Sequence, residues 1–462
     1  MVMDKNRDTV HINGKTSEDA KHLLKTQMNV AEKSHKHCEM FPIHGPGQGA
    51  GDSPGIWCCM SSVIFNCHQE NAHGATFQSP DGRTKCRLFV MGFADDTSGS
   101  TDDFTQPTKM PLKHCADRAA HEAQRWNDCL HVTGAALNKL KCSHHFVVHD
   151  FTLSGLAIAK EGQFKPKINI RCNKDADEWP LKQLSNCKEH LALGVHKAPA
   201  GPERTGAKRT AQKNTVHTKC VSKSPFDRRE TWTHHYMFHL PSISHAFPST
   251  VHSEKSLDEM EKEIKKSVLP KHGFPRSMPN AAVHGHSDHA GTEMRAPKVE
   301  AGLSQLMHLI ARLRTKGVPQ ELATITVSWA QLSAGTSVSI FTDVDTPLPH
   351  LEPMTWSPAI RDFSASVRCR LQIEKHSMPK LQQVDDCFLM DAAILHEFKM
   401  GELKMLNVCR LFKGVTSLSD IVDPDGLEIR KDMKKTGKPI DGHKGPMPCQ
   451  DDPSATSWRL WR

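Results

Sequence analysis

The amino-acid sequence predicts a mixed α/β fold in two domains, a larger α/β part interrupted by a small α+β domain, with further stretches left disordered. Three observations lead there. Helical periodicity and strand-like alternation both occur, so neither an all-α nor an all-β chain accounts for the pattern. The stretch whose local signals agree best is confined to residues 253–345. Apolar residues make up only 37% of the chain, a share at which unpatterned stretches bury too little to offset the entropy of ordering. With 462 residues there is length for two or three separate cores.

Residues 1–196 are read as the first α/β region. A helix is expected over 17–32, where Thr16 and Asp19 have capping-box spacing and Ala20, Leu23, Leu24, Met28 and Ala31 share one face. Between Cys38 and Asp103 the pattern is broken by Gly and Pro. Two apolar clusters interrupt it, Trp57 to Phe65 and Leu88 to Ala94; the first reads as core, with Cys58, Cys59 and Cys67 as buried thiols, and the second as a buried strand. Periodicity is weak over 104–200, with Phe146-Val-Val148 and Leu156-Ala-Ile-Ala159 as short strands. Residues 197–252 read as a basic linker or long loop, being rich in Lys, Arg, Thr, Ser and Pro over 197–230.

The α+β domain is expected at 253–345. Ser256 and Glu259 form a capping box, Leu257, Met260, Ile264 and Val268 follow at helical spacing, and Pro270 ends the helix. A second helix fits 300–316, with Leu303, Leu306, Met307, Ile310 and Leu313 on one face and Gly317 just past it. Then Ala323, Ile325, Val327 and Trp329 alternate with Thr324, Thr326 and Ser328, which predicts a strand buried on one face. Val338 and Ile340, alternating with Ser337 and Ser339, predict its hairpin partner. Residues 346–431 read as a continuation of the first domain with helical fragments at 359–373 and 388–398, and 432–462 as a disordered tail.

Charge and cysteine usage narrow the function classes. The net charge of +8 is spread along the chain, and the densest basic tract, Arg204 to Arg229, holds one aromatic residue, Phe226. Nucleic-acid binders concentrate charge and interleave aromatics for stacking, so there is no strong case for that partner. The 15 cysteines contain no C-x-x-C pair, which disfavours a disulfide framework or zinc ribbon and fits free thiols in a reducing compartment. No apolar leader or bilayer-length run is present, so a soluble, cytoplasmic chain is expected.

The 30 histidines make metal-like spacings frequent by accident. The sharpest of them is His284-Gly-His286-Ser-Asp288-His289, a spacing that lets a tight loop turn imidazoles and a carboxylate toward one point, as zinc requires. It is similar to the metal loop of the metallo-β-lactamase fold. Gly51-Asp-Ser53-Pro54-Gly55 spells a nucleophile elbow, but the residue after the serine must supply an N–H to the oxyanion hole and Pro54 has none.

A second resemblance uses the same residues. Asp288-His-Ala-Gly-Thr292, Met294-Arg295, the helix at 300–316 and the two strands after it resemble the lid of the M20-type amidohydrolases, in the N-carbamoyl-amino-acid hydrolase and allantoate deiminase branch. The resemblance covers mainly 288–342. It implies a metal-dependent hydrolase of C–N amide or ureido bonds, holding zinc or manganese, in which a lid-like domain makes a homodimer contact and His289 polarises the scissile carbonyl. Elsewhere the match is fragmentary. His37 in His37-Cys-Glu-Met-Phe-Pro42 and Asp52 in Asp52-Ser-Pro-Gly55 would be metal ligands. In Phe93-Ala-Asp95-Asp96, Asp95 would be the general base and Asp96 a ligand.

The departures from that family are chemical. Both acids of the Asp95-Asp96 pair are glutamates in the family, and an aspartate is one methylene shorter for a base that must reach its water. Met390 stands where a histidine is expected before Asp391, and Ser417 where the last ligand is expected. The sequence therefore leaves three readings open: the amidohydrolase or an inactive relative of it, a non-catalytic chain with no evolved active site, and a β-lactamase-like zinc loop at 284–289.

Overall fold

The structure is a computed structural model. It describes residues 2–3, 10–11, 53–93, 96–102, 112–132, 137–138, 140–151, 157–160, 165–171, 178–185, 188–192, 195–197, 204–351, 355–374, 381, 383–437 and 453–462. The helix expected at 17–32 lies outside these residues. Helices and short strands are mixed. Among the described residues the strands pair only in twos, as seven two-stranded sheets. No helix among them is long and apolar enough to cross a membrane. The chain divides into two compact units built from interleaved segments, one from 1–75, 88–144 and 166–183, the other from 76–87, 145–165 and 184–462.

The first unit is organised by α1 (Ser53–Gln69) and α2 (Leu112–Val132). Pro54 falls in the first turn of α1, where a missing N–H leaves nothing unsatisfied. The two helices meet through Phe65 and Trp126, stacked with ring centroids 5.5 Å apart. His68 adds a second tie, with Nε2 3.3 Å from Glu122. Gln124 and Asn127 of α2 take both backbone groups of Arg171, at 2.7 to 2.9 Å. The thiols expected in a core are on the surface: Cys58, Cys59 and Cys67 are exposed. The apolar cluster is helical and turns its cysteines outward, leaving Ile64 as its buried residue.

The second unit is largely helical. Residues 204–223, inside the stretch read as a linker, form α3 (Arg204–Lys223). Its buried positions are Gly206, Thr210, Asn214, Thr218 and Val221, a helical stripe made mostly of small polar residues. Thr210 returns its hydroxyl to the carbonyl of Gly206 at 3.0 Å, so a polar face can be buried without losing a hydrogen bond. After it come α4 (Arg228–His234), a π-helical turn (His235–His239), α5 (Leu240–Ser244) and α6 (Glu254–Lys271). The cap of α6 is Ser253, which accepts from the Ser256 N–H, rather than Ser256. Pro270 sits inside its last turn, and the chain turns away at Gly273, whose φ is +86°. Around α3, α5 and α6 the core is Val221, Ile243, Phe247, Ile264, Val268 and Leu269.

Beyond α7 (Asn280–His284) lie α8 (Pro297–Arg314) and α9 (Val318–Ala334). In α8 the expected helix is present but its buried face is rotated. Leu303 and Met307 are exposed, while Gly302, Leu306 and Leu309 are buried. A Cβ at Gly302 would collide with the Phe363 ring, so the glycine marks the contact line with α10 (Trp356–Ser366).

The predicted strand at 323–329 is helical, within α9. Its buried set includes Thr324, Val327, Ser328 and Gln331, a 3.6-residue repeat whose polar members had masked it. Thr324 and Ser328 each donate to the carbonyl four residues back, at 2.8 Å. The hairpin partner expected at 336–342 is a loop, because the buried Gln331 side chain takes its backbone bonds. Gln331 Nε2 donates to the carbonyls of Thr336 and Val338 at 2.9 and 3.0 Å, and Oε1 accepts from the Ile340 N–H at 2.9 Å. Three helices complete the unit, α11 (Leu389–Leu395), α12 (Met400–Lys413) and α13 (Ala455–Trp461). The last lies in the segment expected to be a disordered tail, and it is held by Trp458, 6% exposed, edge-on to Phe412.

Candidate functional site

Of the residues singled out for catalysis or metal binding, His37, Asp52 and Asp95 lie outside the described residues. Asp96 belongs to the first unit, where it stands opposite Phe93 in the hairpin of Val90–Phe93 with Asp96–Gly99. His289 belongs to the second, exposed on a single 3₁₀ turn, Ser287–His289. Among the described residues no group of three or more His, Cys, Asp and Glu converges as metal ligands would.

The loop carrying the H-x-H-x-D-H motif folds back on α7. The N–H groups of Thr292 and Met294 bond the carbonyls of Ala282 and Val283, at 2.9 and 3.0 Å. Gly285 and Gly291 are in backbone contact, and a Cβ on Gly291 would collide with the Gly285 carbonyl. Its histidines point in different directions. His284 turns inward, with Nδ1 2.6 Å from the Met294 carbonyl and Nε2 3.0 Å from Glu261 Oε1. A carbonyl and a carboxylate only accept, so the geometry favours the imidazolium, with both ring nitrogens donating. The Glu261 hydrogen bond holds its pKa above the usual imidazole value. In that state the ring has no lone pair for a metal. His286 remains outside, 3.2 Å from Asp288 and 3.4 Å from Glu293.

The histidines that the fold does gather are elsewhere, on the π-helical turn. There the Leu240 N–H reaches the His235 carbonyl, five residues back, an insertion of the kind that frequently marks functional positions in helices. His235 and His239 are both 0% exposed, and their Nδ1 atoms are 3.3 Å apart. His239 Nε2 lies 3.0 Å from Asn214 Oδ1, and the Asn214 amide donates to Glu263 Oε2 at 2.9 Å. These partners fix the tautomers. Asn214 Oδ1 can only accept, so His239 carries its proton on Nε2 and accepts at Nδ1. His235 then donates from Nδ1, which leaves its Nε2 lone pair buried and without a partner among the described residues. A ladder of donors therefore runs from His235 through His239 and Asn214 to Glu263.

His217 of α3 stacks on His239, with centroids 5.0 Å apart, and its Nε2 is 3.0 Å from the Ser242 hydroxyl. Ser242 spends its own proton on the His239 carbonyl, so His217 is the donor in that bond. Burial, reinforced by neighbouring histidines, lowers His235 to about 4 and His239 to about 3. These residues lie in the tract whose composition predicts a linker. The available signal was Thr233-His234-His235-Tyr236-Met237-Phe238-His239, two histidines at helical spacing opposite Asn214.

Three buried cations of this unit are bonded to the protein itself. Arg410, 0% exposed, donates to the carbonyls of Leu332 and Ser333 at the end of α9, both at 2.9 Å, and to Asn407. Gly335 makes room for it: a Cβ there would stand 2.5 Å from Arg410 Cζ. Lys413 donates to the carbonyls of Asp432 and Lys435 at 2.9 and 2.7 Å, and Arg361 to those of Asp343 and Thr346. A cavity of about 270 Å³ lies nearby, lined by Val338, Ile340, Leu348, Ile394 and Leu395, with Asp343 and Asp391. Both acids are already engaged, Asp391 with the Ser337 N–H at 2.8 Å and Asp343 with the N–H groups of Asp345 and Thr346.

No protein-family model matches this chain, and neither a curated protein nor a solved structure is significantly similar to it.

Proposed function

We propose that this chain is a non-catalytic protein whose second unit serves as a helical scaffold. The observation that carries the reading is the state of His284. It is the first imidazole of the sharpest metal motif in the sequence, and its two nitrogens both face internal acceptors, so it ties the loop to α6 and has neither nitrogen turned toward a metal. The buried cations support the same reading. Arg361, Arg410 and Lys413 are bonded to backbone carbonyls, whereas a catalytic centre keeps preorganised donors aimed at the place where substrate charge develops. The replacements at Met390 and Ser417, and the aspartates at 95 and 96, agree with it.

The competing reading is a zinc- or manganese-dependent amidohydrolase. In it His37, Asp52 and Asp96 hold the metal, Asp95 moves the proton, and His289 acts from a dimerising lid. The two separate cleanly. After dialysis against a weak chelator, the scaffold should retain well under one zinc or manganese ion per chain and release no ammonia or amino acid from N-carbamoyl amino acids. Retention of about one or two ions per chain, with turnover that depends on them, would overturn the proposal.

A further inference from the structure

Three buried histidines of the second unit are arranged so that, among the described residues, none meets an acceptor for a second proton in place. For His235 the free position is Nε2, which is fully enclosed and has no partner among the described residues. His239 has no free position at all, since Nδ1 accepts from His235 and Nε2 donates to Asn214. His252, 9% exposed and edge-on to the buried Phe247 ring at 5.3 Å, has no partner at either nitrogen. A neutral imidazole tolerates such surroundings; an imidazolium loses its hydration and finds no acceptor there.

The groups facing the relay do not compensate. From α3 come Lys213, which like His217 is basic, and Asn214; from α4 comes His234; from the end of α6 comes His272. The facing carboxylate is Glu263 of α6, and it already accepts from Asn214 and from the Thr215 hydroxyl. His235 is thus bordered by His234 and His272, and His239 by His217, His234 and His235. A proton taken up by any one of these rings makes the next uptake in the closed state harder.

From this geometry we infer that residues 228–252, packed on α3 and α6, form a proton-operated latch that opens cooperatively in mild acid, above the pH at which carboxylates titrate. The sign follows from linkage. In the open chain these imidazoles take protons at their ordinary value near 6.5. In the closed state burial holds His235 and His252 down to about 4 and His239 to about 3. Above pH 6.5 neither state binds a proton at these rings and the latch is undisturbed. As pH falls from 6.5 toward 4 the open state binds more protons, and stability is lost. Each ring changes the closed-to-open ratio by about tenfold per pH unit, so the relay pair gives about a hundredfold and the three together about a thousandfold. A single exposed histidine cannot produce that steepness.

The test is amide hydrogen exchange of the full chain at pH 7 and pH 5, with rates corrected for their intrinsic pH dependence. Peptides covering 228–252 should lose at least tenfold more protection than peptides covering α8, and Trp232 fluorescence should change over the same interval. Equal loss in both regions, or none in 228–252, overturns the latch. His252→Phe replaces two unpartnered nitrogens by ring carbons against Phe247. It should shift the opening of this segment to lower pH and reduce its steepness by about one proton; an unmoved midpoint also counts against the proposal. If the variant does not fold, the wild-type exchange comparison decides alone.

Discussion

The second unit handles buried titratable groups in two opposite ways, and the contrast shows what decides their chemistry. Around α7, α9 and α12, His284, Arg410 and Lys413 keep their charge because acceptors converge on them. Those acceptors are the carboxylate of Glu261, the carbonyls at the end of α9, and the carbonyls of residues 432 and 435. Around α3, α5 and α6, His235, His239 and His252 are buried among other imidazoles and aromatic edges, with the neutral Asn214 amide oxygen accepting from His239, and they stay neutral. For the histidines on the two sides, a carboxylate acceptor is present at His284 and, among the described residues, absent at His252, and that supply decides the charge.

The charged side of that contrast breaks most completely at Arg410. Its guanidinium is the donor for the carbonyls of Leu332 and Ser333 and for Asn407 Oδ1. Arg410→Met keeps most of the volume and removes every donor, leaving buried acceptors to bear their own desolvation. The expected loss is about 3 kcal/mol or more, read as a lower urea midpoint with an unchanged slope. A loss below about 1 kcal/mol would mean that the carbonyls are solvated and that the acceptors do not hold the charge.

The arrangement on either side of this contrast could be read from the sequence only in part. Helices at 254–271 and 297–314 were visible because their apolar residues, Leu257, Met260, Ile264 and Leu306, repeat at helical spacing. The face of α8 was misplaced because a glycine, Gly302, rather than a large side chain, marks its tightest contact. The pattern does not predict α3, and it predicts a strand where α9 lies, for one shared reason. Their buried stripes contain Thr210, Asn214, Thr218, Thr324, Ser328 and Gln331, which count as polar in any hydrophobic pattern. Hydroxyls that bond back to their own helix, and amides that serve as hubs, become interior residues only once the partners are known. The histidine relay was hidden for the same reason, since its identity depends on Asn214, some twenty residues away in sequence and on another helix. The loop at 284–289 stood out by spacing alone, and spacing does not fix protonation.

A smaller change sharpens the contrast by reversing a pH dependence. The Glu261 bond raises the His284 pKa in the folded chain above its unfolded value. The stabilisation it provides is therefore fully present below pH 6.5 and is lost as pH rises through the raised value. This is the opposite sign to the latch, where acid destabilises. Glu261→Gln should remove that dependence and cost about 1 kcal/mol near pH 6.5, a modest figure because the two side chains remain 24% and 16% exposed. Urea midpoints of wild type and variant, compared between pH 6.5 and 8.5, should converge as pH rises. Parallel curves over that range would remove His284 from the charged group.

The smallest effect is expected five residues further along, at His289. It shares a loop and a motif with His284, yet it is exposed and belongs to neither side of the contrast. His289→Ala should leave stability within about 0.5 kcal/mol of wild type, as substitutions away from packed or charged features do, and should leave the zinc content after dialysis unchanged. The comparison with Glu261→Gln is informative because both variants act on one short segment. If the loop is held by an internal imidazolium, only the Glu261 variant changes its stability. If the loop instead closes over a bound cation, the order inverts: His289→Ala then lowers metal-dependent stabilisation, and His284 must surrender the proton that its two acceptors require.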